Sequence, residues 1–204
     1  MVVAVNPADK QKLKDTLEQV CSITDEAWID VEQLLSYKTF VANEYLYTEG
    51  EKPKTAAFLL SGVVRAFYRD SDGEEYNKTF FIEGNFPSPL AALTMRQENY
   101  INLQALTPGD AIIINFYEFQ NLFAKHRCLE TFFRKIIEKV WVDKELREIR
   151  MVMKDATANY LHFQQQFPML ENKIPQYHIA SYLGITPIQL SRIRAKLAKK
   201  QFLT

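Results

Sequence analysis

The spacing of apolar positions changes twice along the chain. Between residues 8 and 36 it is helical: Leu13, Leu17 and Val20 recur on one face, and Thr24-Asp25-Glu26 then opens a second segment through Ile29, Leu34 and Leu35. Two short helices are predicted. From about Lys38 to Asn115 the texture becomes one of brief runs rich in aromatic and β-branched residues, at 44–47, 57–60, 63–68, 78–82, 100–105 and 111–115. Turn signals separate them at Glu49-Gly50-Glu51, Ser61-Gly62, Asp72-Gly73, Glu83-Gly84-Asn85 and Pro108-Gly109-Asp110. Many short strands with regular turns predict an antiparallel sandwich or rolled barrel.

After Phe116 the helical period returns and persists. The stretch Leu129 to Met153 holds neither Pro nor Gly and reads as one helix. Its apolar residues form two stripes, with Leu129, Phe133, Ile136 and Val140 on one side and Val142, Leu146, Ile149 and Met153 on another. A helix apolar on two faces must bury both, so one face is expected on the β-domain and the other on a second copy of the chain. The expected dimer contacts are Ile136, Val140, Val142, Leu146, Ile149 and Met153. A further helix, about Ala156 to Phe167, precedes a loop from Pro168 to Asn172.

The segment Gln176 to Ile193 has the pattern of a helix-turn-helix. Two helices that cross closely need a small residue, and Ala180 is placed for it. The turn needs a residue at ease with positive φ, and Gly184 follows four positions later. Ile179, Leu183, Ile185, Leu190 and Ile193 are apolar where the helices bury side chains, and Thr186-Pro187 reads as N-cap and first-turn proline. At 100° per residue, Leu190, Ile193 and Leu197 cluster inward. Ile188, Arg192, Ala195 and Lys199 point away, flanked by Gln189, Ser191 and Lys196.

These types in this pattern point to duplex DNA. Arg192 suits a bidentate contact to guanine, Gln189 an adenine or a phosphate, and Ile188 a thymine methyl. Thr186 and the amides behind it suit a backbone phosphate; Ser191 flanks the reading face, and Lys196, Lys199 and Lys200 add sequence-independent attraction.

Charge supports this only once it is divided along the chain. The 204 residues carry 25 cations and 25 acidic groups, for a formal net charge of zero. Six of the cations, and no acid, fall between Lys173 and Thr204, leaving the rest of the chain acidic. With 47% hydrophobic residues the chain can bury a core, and no apolar run reaches membrane-spanning length. Met1 to Pro7 lacks the character of a secretory signal, so a cytoplasmic setting is expected. Cys21 and Cys128 lie far apart in sequence, with no spacing that suggests a disulfide framework or a metal knuckle.

In this order, helices, β-roll, long helix and helix-turn-helix resemble the Crp–Fnr superfamily, the cyclic-AMP receptor protein and its relatives. Three stretches carry the likeness: Leu46-Tyr47-Thr48-Glu49-Gly50-Glu51 with Phe58-Leu59-Leu60-Ser61-Gly62-Val63-Val64, the long helix, and Ile179 through Pro187 with Leu190-Ser191-Arg192-Ile193. The resemblance implies an α+β fold with N-terminal helices and an antiparallel β-roll (a double-stranded β-helix like a cyclic-nucleotide-binding domain), a dimerisation helix and an all-α DNA-binding domain. The expected divisions are 1–128, 129–153 and 154–204. It also implies a homodimer reading palindromic operators and contacting RNA polymerase.

Departures from the family bear on the signal. Where relatives carry Gly-Glu for the ribose and Arg-Ser or Arg-Thr for the cyclic phosphate, this chain has Ser88-Pro89 and Asn99-Tyr100, with Arg96 nearby. A phosphate without its arginine loses its main charge partner, so the effector is expected to be something other than cyclic AMP. Phe80, Phe81 and Phe86 are candidates to fill the pocket. No iron–sulfur or haem sensor is expected, because the cysteines are two and His126, His162 and His178 lie outside the β-roll. No cofactor or metal is expected. The C-terminal wing of relatives is expected to be reduced, since only Gln201 to Thr204 follow the recognition helix. The rival reading is a small-molecule-binding or enzymatic β-roll whose helix-turn-helix serves protein assembly; the absence of histidine between Lys38 and Asn115 argues against a metal-dependent enzyme.

Overall fold

The computed structural model describes residues 4–153 and 155–201, and of residues 200 and 201 the backbone alone. The chain separates into two compact units, one comprising 1–66 and 80–141, the other 67–79 and 142–204.

In the first unit, α1 (Pro7–Glu18) and α2 (Asp25–Glu32) begin at side-chain caps: Asn6 accepts from the Asp9 amide and Thr24 from that of Ala27. Helix α2 stops sooner than its apolar period suggests. Leu35, expected on the helix, instead opens strand β1 (Leu35–Phe40), which pairs with β7 (Gly109–Asn115) through Leu35–Ile114. The remaining strands are β2 (Tyr45–Tyr47), β3 (Thr55–Leu59), β4 (Val64–Arg69), β5 (Glu75–Phe81) and β6 (Asn102–Ala105). They form a three-stranded sheet, β1-β7-β3, and a four-stranded sheet, β2-β6-β4-β5.

The two-residue side-chain period of the strands explains the layering. Ala57, Leu59 and Ala111 join Phe40, Tyr47, Val64, Ala66, Leu103 and Ala105 in one buried cluster. Their sequence neighbours Phe58, Leu60 and Ile112 face the other way and pack with Leu13, Leu17, Trp28, Val31, Leu129 and Phe132 from the helices. At one end of the roll, Gly62 and Gly109 let two turns touch. A Cβ on Gly62 would lie 2.9 Å from the Pro108 oxygen, and one on Gly109 would run into Ser61 O. A short helix, α3 (Leu90–Met95), precedes β6, and α4 (Phe116–Asn121) follows β7, capped by Asn115.

The two cysteines, distant in sequence, meet in this unit. The Cys21 thiol donates to the Cys128 carbonyl at 3.4 Å, and both residues are free and half-buried. His126 is buried against Asp30, with Nε2 2.7 Å from the carboxylate.

Helix α5 (Arg127–Met153) runs 27 residues. Leu129 and Phe132 are buried, and Ile136 packs against the core of its own unit, so it is not an open contact like its expected partners. Val140, Val142, Leu146, Ile149 and Met153 are all exposed.

In the second unit α6 (Ala156–Gln166), α7 (Gln176–Leu183) and α8 (Pro187–Gln201) enclose Tyr160, Phe163, Phe167, Leu170, Ile174, Ile179, Leu183 and Leu190. From α5, Arg147 lies over the Tyr182 ring at 4.7 Å and donates to the Tyr182 carbonyl at 3.0 Å. The hairpin formed by the end of β4 and the start of β5, predicted as part of the β-roll, packs with this unit. Residues 202–204, where a reduced wing is expected, lie outside the described residues. Among the described residues no helix is long and apolar enough to cross a membrane, and no cluster of three or more His, Cys, Asp or Glu could hold a metal ion.

Candidate nucleic-acid interface

The helix-turn-helix forms where its residue pattern requires. Ala180 is fully buried at the crossing of α7 and α8, and Gly184 ends α7 at φ 67°, in the left-handed region. A Cβ there would also come within 2.8 Å of Met151 Cε. Thr186 Oγ1 accepts from the Gln189 amide at 3.2 Å, and Gln189 Oε1 accepts from the Thr186 amide at 2.9 Å. This reciprocal pair is a capping box.

The cap changes what the head of α8 can offer. Pro187 has no N–H and the Thr186 and Gln189 amides are taken, so of the first turn's donors the Ile188 N–H, without a partner among the described residues, remains for a phosphate. Gln189 has spent its amide oxygen, which leaves its NH2 to donate. The sequence signal for this cap is Thr followed three residues later by Gln, and it gives Gln189 a structural role besides the base or phosphate contact expected of it.

Leu190 is 1% exposed and anchors the inward face, with Ile193 and Leu197 half-buried beside it. Ile188, Ser191, Arg192, Ala195, Lys196 and Lys199 are exposed. Arg192 makes no hydrogen bond or ion pair among the described residues. Arg194, one of the six C-terminal cations, faces elsewhere and is held: Glu171 lies 3.9 Å from its Nε, accepts from Gln164 at 3.0 Å, and is bonded by the Tyr160 hydroxyl. Desolvation, with Glu171 close by, pushes the Tyr160 hydroxyl up to about 12. This brace under α8 involves Glu171, just outside the acid-free segment, and went unrecognised in the sequence. The side chain of Lys200 lies outside the described residues.

The expected effector positions are occupied by structural work. Ser88 Oγ accepts from the Ala57 amide at 3.1 Å, and Pro89 is buried just before α3. Asn99 is buried; its side chain reaches Thr48 O and Ile101 O and accepts from the Ile101 amide at 3.2 Å. Tyr100 is 66% exposed. Arg96 places its guanidinium 5.0 Å from the Tyr117 ring centre. Of the three phenylalanines, Phe86 packs against the helix-facing core, tilted to the Phe58 ring and edge-on to that of Phe132, whereas Phe81 packs against the cluster inside the roll; Phe80 is buried.

With this geometry in place, comparison with known proteins gives the class first. Residues 37–126 match the family model of the cyclic nucleotide-binding domain. No curated protein matches the sequence. Solved structures then supply the whole architecture. FixK2 from Bradyrhizobium japonicum is similar at TM-score 0.69 and 14% identity, over 82% of this chain and 86% of that one. A CooA mutant from Carboxydothermus hydrogenoformans gives 0.67 and 17%, over 98% and 87%. A protein from Eubacterium rectale, described as a transcriptional regulator of the Crp/Fnr family, gives 0.67 and 12%, over 87% and 85%. The fold is that of the Crp/Fnr regulators, α+β with a cyclic-nucleotide-binding type of β-roll and a helical C-terminal region.

Proposed function

We propose that the chain is a sequence-specific DNA-binding transcription regulator, not an enzyme, which acts as a homodimer on palindromic operators. The carrying observation is the division of α8: Leu190 is buried while Arg192, Lys196 and Lys199 stand exposed on a helix fixed at its head by the Thr186–Gln189 cap. A rigid cylinder with cations on its free face fits a major groove. The fold shared with Crp/Fnr regulators supports the same reading, and contact with RNA polymerase follows by that resemblance.

The signal is proposed to act through the β-roll and to be other than cyclic AMP. Asn99 and Tyr100, at the positions where relatives place the phosphate-binding pair, bring no cation, and the nearby Arg96 rests on Tyr117. Isothermal titration with cyclic AMP should give no saturable heat; micromolar binding would overturn this part.

The decisive experiment is selection of bound duplexes from a random pool, with Arg192→Ala beside the parent protein. The parent should yield a palindrome, and the variant should lose about 1–3 kcal/mol of discrimination at one base position in each half-site. A helix-turn-helix used for protein assembly would enrich no sequence with either protein.

A further inference from the structure

The hairpin at 67–79 is fastened to α7 by a set of buried and half-buried bonds. Asn77 is 3% exposed, and its Nδ2 donates to the His178 carbonyl at 3.0 Å and lies 3.3 Å from His178 Nδ1. The Asn77 amide donates to Ser181 Oγ at 3.0 Å, and Ser181 Oγ in turn donates to the Glu75 carbonyl at 3.0 Å. One serine on α7 therefore closes both ends of a short β5 segment. A strand edge bonded to a helix side chain in this way is specific to the pair, because a one-residue slip would remove the Asn77 side chain from His178.

The hairpin so fastened is acidic. Its turn runs Asp70-Ser71-Asp72-Gly73-Glu74-Glu75, built on Asp70, which accepts from the Asp72 and Glu74 amides. Arg69 answers one of these charges, on Glu75, at 2.7 Å. The negative field is felt locally: Asp70 foremost, with desolvation and Glu74, raises the pKa of the Tyr76 hydroxyl.

Its position matters more than its charge. Glu74, Glu75 and Tyr76 form one wall of a shallow hollow whose other wall includes Tyr177, Thr186 and Gln189. Those are the head of α8 and the outer edge of α7. In a helix-turn-helix the first helix crosses the DNA backbone, and the head of the second meets a phosphate. A phosphate arriving here would meet carboxylates of its own sign within a Debye length.

We infer that the 67–79 hairpin is an autoinhibitory latch, an acidic strap that occupies the phosphate-binding edge of the helix-turn-helix and must leave before DNA can seat. The inference rests on the DNA-binding reading above. In the latched form the strap supplies the negative charge that DNA would otherwise bring. Release takes the carboxylates of Glu74 and Glu75 away from the hollow that the exposed Tyr177, Thr186 and Gln189 share with them. A signal that favours the released hairpin raises DNA affinity in proportion to the released fraction.

The test uses the full chain, a mixed-sequence duplex of about three helical turns, fluorescence anisotropy, and hydrogen exchange of residues 67–79. Asn77→Ala and Ser181→Ala remove latch bonds without altering charge. Both should bind the duplex about tenfold tighter, as expected when the competent fraction rises from about a tenth towards one, and both should exchange faster across 67–79. In the parent protein, adding duplex should speed exchange in the same segment. Unchanged affinity in either folded variant overturns the latch, as does a hairpin that stays protected on the DNA-bound protein. Should Asn77→Ala fail to fold, Ser181→Ala, at a half-buried position on α7, decides alone. Arg192→Ala separates the two claims: if it weakens binding while the latch variants change nothing, the latch falls and the DNA reading stands. If no protein in the set binds duplex, both fall.

Discussion

Thr186 and Gln189 hold each other, and that limits what either can give to a ligand. The Thr186 hydroxyl satisfies the Gln189 amide and the glutamine returns the bond, so truncating either exposes an orphan N–H at the head of α8. Thr186→Ala and Gln189→Ala should each cost about 1 kcal/mol, read as a lower urea midpoint at constant slope. Gly184→Ala should cost about 1–2 kcal/mol, because alanine must adopt φ near 67° there, and Met151 Cε, the end of a flexible side chain, can move aside. Under α8, Tyr160 titrates with its proton favoured by the fold, near 12 against 10.0 for a free phenol. A raised folded pKa means that the stabilisation is whole below pH 10 and is lost as pH rises towards 12. Tyr160→Phe should therefore show a shallower fall in thermal midpoint across that window than the parent protein.

At the scale of the element, legibility followed the strength of the local period. Helices α5 to α8 are legible nearly to their ends, because α5 holds neither Pro nor Gly from Leu129 to Met153, Asp155 caps α6, Gly184 ends α7 and the Thr186–Gln189 pair opens α8. Strand β1 was not, because Leu34 and Leu35 extend the apolar spacing of α2; the switch to strand is decided by Leu35 pairing with Ile114, far away in sequence. The short helix α3 was also missed, having only six residues and no side-chain cap. Most residues of the proposed interface are exposed and chemically typed, so the sequence alone suffices to nominate them. The supports were hidden for the opposite reason: Glu171 beneath Arg194, and the bonds of Asn77 and Ser181, join elements whose proximity only folding creates. Within α8 the roles of the cations should separate by experiment. Lys196→Ala and Lys199→Ala should weaken binding to all sequences alike, each lowering the slope of log affinity against log salt by about one. Arg194→Ala, which loosens the Glu171 brace, should lower stability and leave base preference unchanged.

At the scale of the whole molecule the outstanding feature is apolar surface on α5. Val142 (51% exposed), Leu146 (47%), Ile149 (51%) and Met153 (74%) recur at alternating intervals of four and three, the spacing of a coiled-coil seam. Ile136, nominally of the same set, is taken by its own core, which places the open seam in the second half of the helix. A two-fold dimer along this seam would set each residue near its own copy, so one carboxylate per chain becomes two facing charges. The parent protein should therefore sediment at twice the chain mass at micromolar concentration. Leu146→Glu with Ile149→Glu should sediment as a monomer that keeps its far-ultraviolet circular dichroism, since neither side chain belongs to a buried core. Two half-sites about 34 Å apart need two recognition helices, so the monomer should also lose most of its affinity for a palindrome while retaining salt-sensitive binding to any duplex. A parent protein that stays monomeric under these conditions removes the homodimer, and with it the palindromic operator, from the proposed function.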